Sequence, residues 1–259
     1  MAKARVALVT GAGSGIGEAA ALALSRDGFR IGVLGHNEKT NEKTVKKIVK
    51  AGGEALSLEA DISDEAGMKA AVDTLVETWG RIDVVVANAG INGVWAPIDD
   101  LKPEEWDKTI AVNLRGTYLT IHETVPHLKR GNGGSIIVVS SINGTRTFTT
   151  PGATAYSATK AGQLAMVQQL ALELARHHIR INAVCPGEID TNIHSNTELR
   201  GEDETAIPVE WPEGQVPITG GKPGRSTDVA SVISFLASDA SRHVTGTPIW
   251  VDGGQGLLR

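Results

Sequence analysis

Short apolar runs recur along this chain and constrain its architecture more than any other feature. They are Arg5–Thr10, Arg30–Gly35, Glu54–Ala60, Ile82–Ala87, Ser135–Ser140, Ile179–Cys185 and Thr247–Val251, and most are apolar at consecutive rather than alternate positions. Alternation marks a strand with one wet face; a continuous run marks a strand covered on both. Helical patterns fill the intervals, over residues 16–28, 38–51, 64–79, 103–128, 155–176 and 226–238. The first six runs are spaced by roughly the 30 residues of a strand–helix–strand unit, with one longer gap. Gly52 and Gly80 fall where helices should stop, and Pro103 where one should start. The pattern predicts an α/β fold: a doubly wound parallel sheet of about seven strands with helices on both faces. No linker divides residues 1–259, so a single domain is expected.

Composition removes several classes. One cysteine, Cys185, allows no internal disulfide and no thiolate metal cluster, and no metal site is expected. With 25 basic against 30 acidic residues, a net charge of -5 gives no electrostatic case for nucleic acid or an anionic membrane. No apolar run approaches the ~18 residues of a membrane span, and no signal peptide is visible. A cytoplasmic protein is expected. Two stretches break the rhythm. The tandem NEKT repeat at Asn37–Thr40 and Asn41–Thr44 has a period of four, which predicts a solvated helix stripe opposite Val45, Ile48 and Val49. Residues 192–225 are polar and carry Pro208, Pro212, Pro217 and Pro223. A segment this long without periodicity suggests a substrate lid, expected over 192–222.

After the first run comes Thr10-Gly11-Ala12-Gly13-Ser14-Gly15-Ile16-Gly17. A strand, a glycine turn and then a helix point backbone N–H groups at a pyrophosphate, and glycines remove the Cβ atoms that would obstruct it. The end of the second run addresses the adenosine ribose, where an acidic residue would hold the 2′-hydroxyl and repel a 2′-phosphate. Here stand Gly35, His36 and Asn37, with no carboxylate, so NADP is favoured slightly over NAD. Asp61, with Ile62 beside it, ends the third run. It is a candidate for adenine contact or a helix cap next to Ser63.

Tyr156 and Lys160 are four residues apart on a predicted helix and so share a face. A nearby ammonium favours phenolate and pulls a phenol with pKa near ~10 toward neutrality, which makes a general acid/base. Tyr118, the other tyrosine, has His122 at that position and is read as packing. Ser140 and Ser141 end the fifth run, where a hydroxyl reaches a substrate carbonyl. Asn113 sits inside a long helix pattern near Gly116, where a bend is expected and a buried amide can organise water.

Together these residues closely resemble the short-chain dehydrogenase/reductase family in its single-domain, Rossmann-type form. The match spans nearly the whole chain: TGAGSGIG, Asp61, the ANAG run Ala87–Gly90, Asn113, the serine pair, YSATK at Tyr156–Lys160, Pro186-Gly187 with Thr191, and VTGTPIWVDGG at Val244–Gly254. The resemblance implies a nicotinamide cofactor, NAD(P)(H), and hydride transfer to or from a carbonyl or secondary alcohol. It implies that Tyr156 passes the proton, Lys160 binds ribose and lowers the tyrosine pKa, Asn113 holds a relay water and Ser141 polarises the carbonyl. Asn88, Ala89 and Gly90 would line the adenosine side, and Pro186, Gly187, Ile189 and Thr191 the nicotinamide side. Ser141 stands two residues further from Tyr156 than the family pattern, so an insertion is inferred within Thr145–Pro151. Asn143, Arg146 and Phe148 border it and are candidates for specificity. Glu188, His194 and Trp211 are lid candidates, or else solvated loop residues. A sugar, polyol or small ketone is the expected substrate. The alternatives are a 3-oxoacyl-carrier reductase and a non-catalytic nucleotide sensor or scaffold. The resemblance also implies a homotetramer, and Leu164, Met166, Val167, Leu170, Leu172 and Leu174 make the helix after Lys160 apolar almost all round.

Overall fold

Strand β1 (Val6–Thr10) shows why the apolar runs do not alternate. All five residues are buried: Val6 and Leu8 enter one core layer, Ala7 and Val9 the other. The structure, a computed structural model, describes residues 4–191, 197–206 and 216–258. Along the chain follow α1 (Gly15–Arg26), β2 (Arg30–Gly35), α2 (Glu38–Lys50), β3 (Ala55–Glu59), α3 (Glu65–Trp79), β4 (Val84–Ala87), α4 (Pro103–Thr109) and α5 (Gly116–Arg130). Then come β5 (Gly134–Val139), α6 (Thr154–Ala175), β6 (Ile179–Pro186), α7 (Ser226–Ala237) and β7 (Pro248–Val251). These seven strands form one parallel sheet in the order β7-β6-β5-β4-β1-β2-β3. The order reverses between β1 and β4, which opens the crevice where such sheets take ligands.

Each face carries its own core. Leu8, Val85, Ile136 and Ile181 pack with Leu75, Leu119 and Val167 from α3, α5 and α6. Val9, Val33, Val86 and Ile137 pack with Ala20, Leu24 and Ile233 from α1 and α7. Local chemistry sets the helix ends: Asn37 caps α2 by accepting from the Thr40 N–H, and Asp64 caps α3 by accepting from that of Gly67. Gly80 ends α3 with φ 81°, which favours glycine.

Two expectations need correction. The single helix expected over 103–128 is interrupted by a π-turn at Ile110–Arg115, and Asn113 lies inside it. Gly116 follows for a packing reason: a Cβ there would lie 2.6 Å from Ile62 Cδ1. The NEKT stripe is only in part a solvated face. Glu38, Lys39, Glu42 and Lys43 are exposed and Ile48 is buried as expected, but Asn41 and Thr44 are fully buried too, while Val49 is 56% exposed. Asn41 Nδ2 donates to the carbonyls of Gly35 (2.9 Å) and Leu58 (3.1 Å), and Thr44 Oγ1 donates to that of Ala12 (2.9 Å). A period of four places like residues on one side of a helix and leaves open which side is wet. Here that side faces strand ends with carbonyls to satisfy.

Within the expected lid, Glu198–Leu199 pairs in parallel with Val94–Trp95, a short helix covers Glu202–Thr205, and Pro217–Thr219 forms one 3-10 turn. His194 and Trp211 lie outside the described residues. No described helix is long and apolar enough to cross a membrane.

Candidate active site

At the carboxyl edge of the sheet a cleft of about 520 Å³ runs between the β1–α1 turn and the start of α6. Its cofactor side is fixed by backbone. Gly11 and Gly15 have φ of 64° and 55°, a conformation that favours glycine. A Cβ on Gly17 would lie 2.2 Å from the Gly11 carbonyl oxygen, and one on Gly11 would lie 2.9 Å from Ala89 Cα. Gly13 is pressed against α2, where a Cβ would meet Thr40 Oγ1 at 2.5 Å. Helix α1 starts at Gly15, and Ser14 makes no side-chain cap bond to it. Ile16 lines the cleft.

The turn is bolted to its neighbours. Asn88 Nδ2 donates to the Thr10 carbonyl at 2.9 Å, and the N–H groups of Asn88 and Ala89 donate to Thr10 Oγ1 at 3.0 and 3.1 Å. Thr191 closes the far side, its Cγ2 3.4 Å from where a Gly15 Cβ would stand. The result is a turn packed so closely on its neighbours that only glycine fits, at a helix N-terminus. A dinucleotide pyrophosphate fits the N–H groups that such a turn presents. Asn88, Gly90, Pro186, Gly187, Ile189 and Thr191 all line the same cleft. His36 and Asn37 are exposed past the end of β2, and no carboxylate stands there. Asp61 Oδ1 accepts from the Ser63 N–H (2.8 Å) and hydroxyl (2.7 Å), which holds its carboxyl below the usual carboxylate range. These bonds close a turn ahead of α3, whose cap is Asp64 rather than Asp61, and Ile62 beside it is buried against Gly116.

On the reacting side, the serine pair divides. Ser140 donates to the Lys160 carbonyl at 2.9 Å and is a structural tie between β5 and α6. Ser141 accepts from the Asn143 N–H at 3.1 Å and lines the cleft together with Tyr156. Lys160, 4% exposed, donates to the Val139 carbonyl at 3.1 Å with Nζ 5.4 Å from the Tyr156 ring centroid. The expected lowering of the phenol is not what this geometry gives. Burial pushes the Tyr156 phenol up, and the Ser141 hydroxyl offsets part of that. Burial likewise brings the Lys160 ammonium down to about 8. Desolvation outweighs the pairing here. Asn113 is fully buried, and both its side-chain groups are engaged with Ile91: Oδ1 accepts from its N–H and Nδ2 donates to its carbonyl, each at 2.8 Å. It thereby fixes the segment bearing Gly90 beside Lys160.

Two specificity candidates face elsewhere. Arg146 stacks on Trp250, 3.9 Å from the ring centroid, and approaches Asp252 at 3.9 Å. Phe148 is 70% exposed. Neither lines the cleft, whereas Asn143 and Glu188 do. Sequence reasoning missed Asn92, Trp95, Thr147 and Glu202, which line it too. Trp95 stands 6.3 Å from Tyr156, centroid to centroid. These residues sit on loops or on elements of two to four residues, too short to show a period. The only available signal was a tryptophan shortly after the ANAG run.

Comparison with known proteins agrees with this geometry. Residues 11–255 match the family model described as enoyl-(acyl carrier protein) reductase. A 3-oxoacyl-(acyl-carrier-protein) reductase of Thermotoga maritima is 38% identical over 251 residues, covering 96% of this chain and 97% of that protein. Glucose 1-dehydrogenase 2 of Bacillus subtilis is 34% identical over 256 residues, covering 98% and 95%. Among solved structures, a 3-ketoacyl-ACP reductase from Sinorhizobium meliloti is 70% identical with a TM-score of 0.96, covering 98% of this chain and 100% of that one. Another from Brucella melitensis, complexed with NADH, is 31% identical with a TM-score of 0.85, covering 97% and 98%. With its sheet order, glycine turn and Ser141–Tyr156–Lys160 cluster, the chain belongs to the short-chain dehydrogenase/reductase family of oxidoreductases.

Proposed function

We propose that this protein is an NAD(P)-dependent enzyme that interconverts a carbonyl and a secondary alcohol on a sugar, polyol or small ketone. The observation that carries the reading is the placing of Tyr156, Ser141 and Lys160 in the same cleft as Thr191 and Ile16, the residue of the glycine turn that lines it. When bound, the nicotinamide supplies or accepts the hydride. Tyr156 donates its phenolic proton to the carbonyl oxygen during reduction, and Ser141 donates a hydrogen bond to that oxygen as charge develops on it. Lys160 stabilises the phenolate left behind and holds the ribose. Asn113 positions the Gly90–Ile91 wall through its two bonds to Ile91. Because burial keeps the phenol protonated, reduction starts from the resting form. Alcohol oxidation requires its deprotonation and gains rate as pH rises.

NADP is favoured slightly, since no acidic residue stands at His36–Asn37 to repel a 2′-phosphate. The NADH complex of the Brucella melitensis relative supports NAD as the competing form. The exposed Leu172 on α6, at 83%, supports a homotetramer built through that helix. A second reading, 3-oxoacyl-carrier reductase, is favoured by the names of three of the relatives above. The test follows nicotinamide absorbance with NAD and NADP across polyols, aldoses, small ketones and a 3-oxoacyl thioester. Turnover of hydroxylated substrates supports the first reading, and turnover of the thioester alone supports the second. Dinucleotide binding with no turnover of any of them would overturn both in favour of a sensor.

A further inference from the structure

The chain's net charge of -5 has an address. Between Thr191 and Val216 the sequence holds six acidic residues and one basic residue, Arg200, which by itself accounts for that total. Arg200 is not available to neutralise the cleft. Its guanidinium lies 2.5 Å from Glu105, 3.5 Å from Asp100 and 4.0 Å from Glu198. Glu202 lines the cleft from this segment and Glu188 from the turn after β6. Among the described residues neither carboxylate has a side-chain hydrogen bond or ion pair, and Lys160 is the only lysine or arginine lining the cleft.

The rest of the lining is polar in a particular way. Thr147 Oγ1 is buried without a hydrogen-bond partner. An orphaned hydroxyl in a ligand cleft calls for a partner on the ligand. Trp95 presents an aromatic wall beside Tyr156 and is held rigidly: its indole N–H donates to the Asn92 carbonyl (3.1 Å), and its own carbonyl accepts from the Arg200 N–H (2.9 Å). Carboxylates accept strong hydrogen bonds from hydroxyl groups, and an aromatic face packs against the C–H face of a ring. The same carboxylates repel phosphate and carboxylate.

From this we propose that the cleft selects a neutral, polyhydroxylated substrate, with Glu188 and Glu202 as hydroxyl acceptors and Trp95 as the platform, and that it discriminates against anionic substrates, including acyl groups carried on phosphopantetheine. The inference rests on the oxidoreductase reading above and narrows it, against the names of the relatives. Specificity of this kind comes from repulsion as much as from attraction.

The experiment measures kcat/KM for glucose and sorbitol, for glucose 6-phosphate as the anionic twin, and for acetoacetyl-CoA. It uses the wild type, the double variant Glu188→Gln/Glu202→Gln and Trp95→Leu. The expected result is at least about a tenfold preference for the neutral sugar over its phosphate at low salt, shrinking as ionic strength rises. The double variant should narrow that ratio several-fold. Trp95→Leu should raise KM for the neutral ring more than it lowers kcat. Equal or better use of the phosphate or the thioester by wild type, or an unchanged ratio in the double variant, overturns the proposal while leaving the oxidoreductase reading intact. No turnover of any substrate by an enzyme that binds dinucleotide overturns both.

Discussion

Around the glycine turn the backbone does the holding, whereas around Tyr156 the side chains do. On the cofactor half, β1 and β2 pass through short turns into α1 and α2, and the contacts that matter are carbonyls, N–H groups and missing Cβ atoms. On the substrate half, long segments follow β4, β5 and β6, and side chains of Trp95, Glu188 and Glu202 shape the wall. The cofactor half tolerates little change, because a Cβ at Gly17 meets a backbone oxygen that cannot move aside. The substrate half can be rewritten one side chain at a time without disturbing the sheet. One fold can therefore keep its hydride chemistry and change its substrate.

The sharpest way to break this contrast is at the substrate-side group that passes the proton. Tyr156→Phe should lower kcat by about a thousandfold or more while dinucleotide affinity stays within twofold, measured by nicotinamide fluorescence titration. A parallel loss of affinity would join the two halves into one unit. Tyr118→Phe, on an exposed ring stacked against His122 5.3 Å away, should change neither quantity.

Lys160 lies on the boundary. Its pKa is depressed from 10.5 to about 8, so the unfolded chain binds more protons than the folded one between those values. Stability should therefore rise with pH across that window. The cost of burying the ammonium is fully present below about 8 and gone above 10.5. Relative to Lys160→Met, the wild type should gain on the order of 3 kcal/mol from pH 7.5 to 10.5 in denaturant titrations. A flat difference would mean that the amine is well solvated.

The α2 stripe tests the cofactor half. Thr44→Val removes the bond to the Ala12 carbonyl and leaves a buried acceptor unpaired, a cost of about 1–3 kcal/mol. The dinucleotide Kd should rise about tenfold, with kcat at saturation little changed, and Thr44→Ser should restore it. A fall in kcat with unchanged Kd would contradict the backbone account. The smallest effect is expected at the ribose pocket. His36→Asp should move the NAD/NADP preference toward NAD by several-fold, through repulsion of a 2′-phosphate. An unchanged ratio of the two Kd values would show that His36 does not face that phosphate.

The sheet was legible from sequence because continuous apolar runs have one explanation, burial on both faces, and Val6–Val9 alternate between the two cores as that requires. The glycine turn, Tyr156 and Lys160 were legible because their spacing is itself the geometry. Asn113 was placed at a bend, but the π-turn and its pairing with Ile91 depend on a contact 22 residues away in sequence. Arg146 turned away from the cleft because Trp250 and Asp252, from the far end of the chain, offer it a ring and a carboxylate. In the Asn41–Thr44 stripe the exposed Glu42 and Lys43 were legible and the buried Asn41 and Thr44 were not, since helical period tells which residues share a side and not what that side meets.

Cys185, the chain's one thiol, gives the sheet its own clock. It lies at 0% exposure on β6, and burial pushes its thiol up to about 11. A thiol reagent added to the native protein cannot reach it until β6 separates from α6. The labelling rate of this single group therefore counts those openings directly, with no engineered probe. If substrate-side substitutions leave the sheet undisturbed, they will leave that rate unchanged as well.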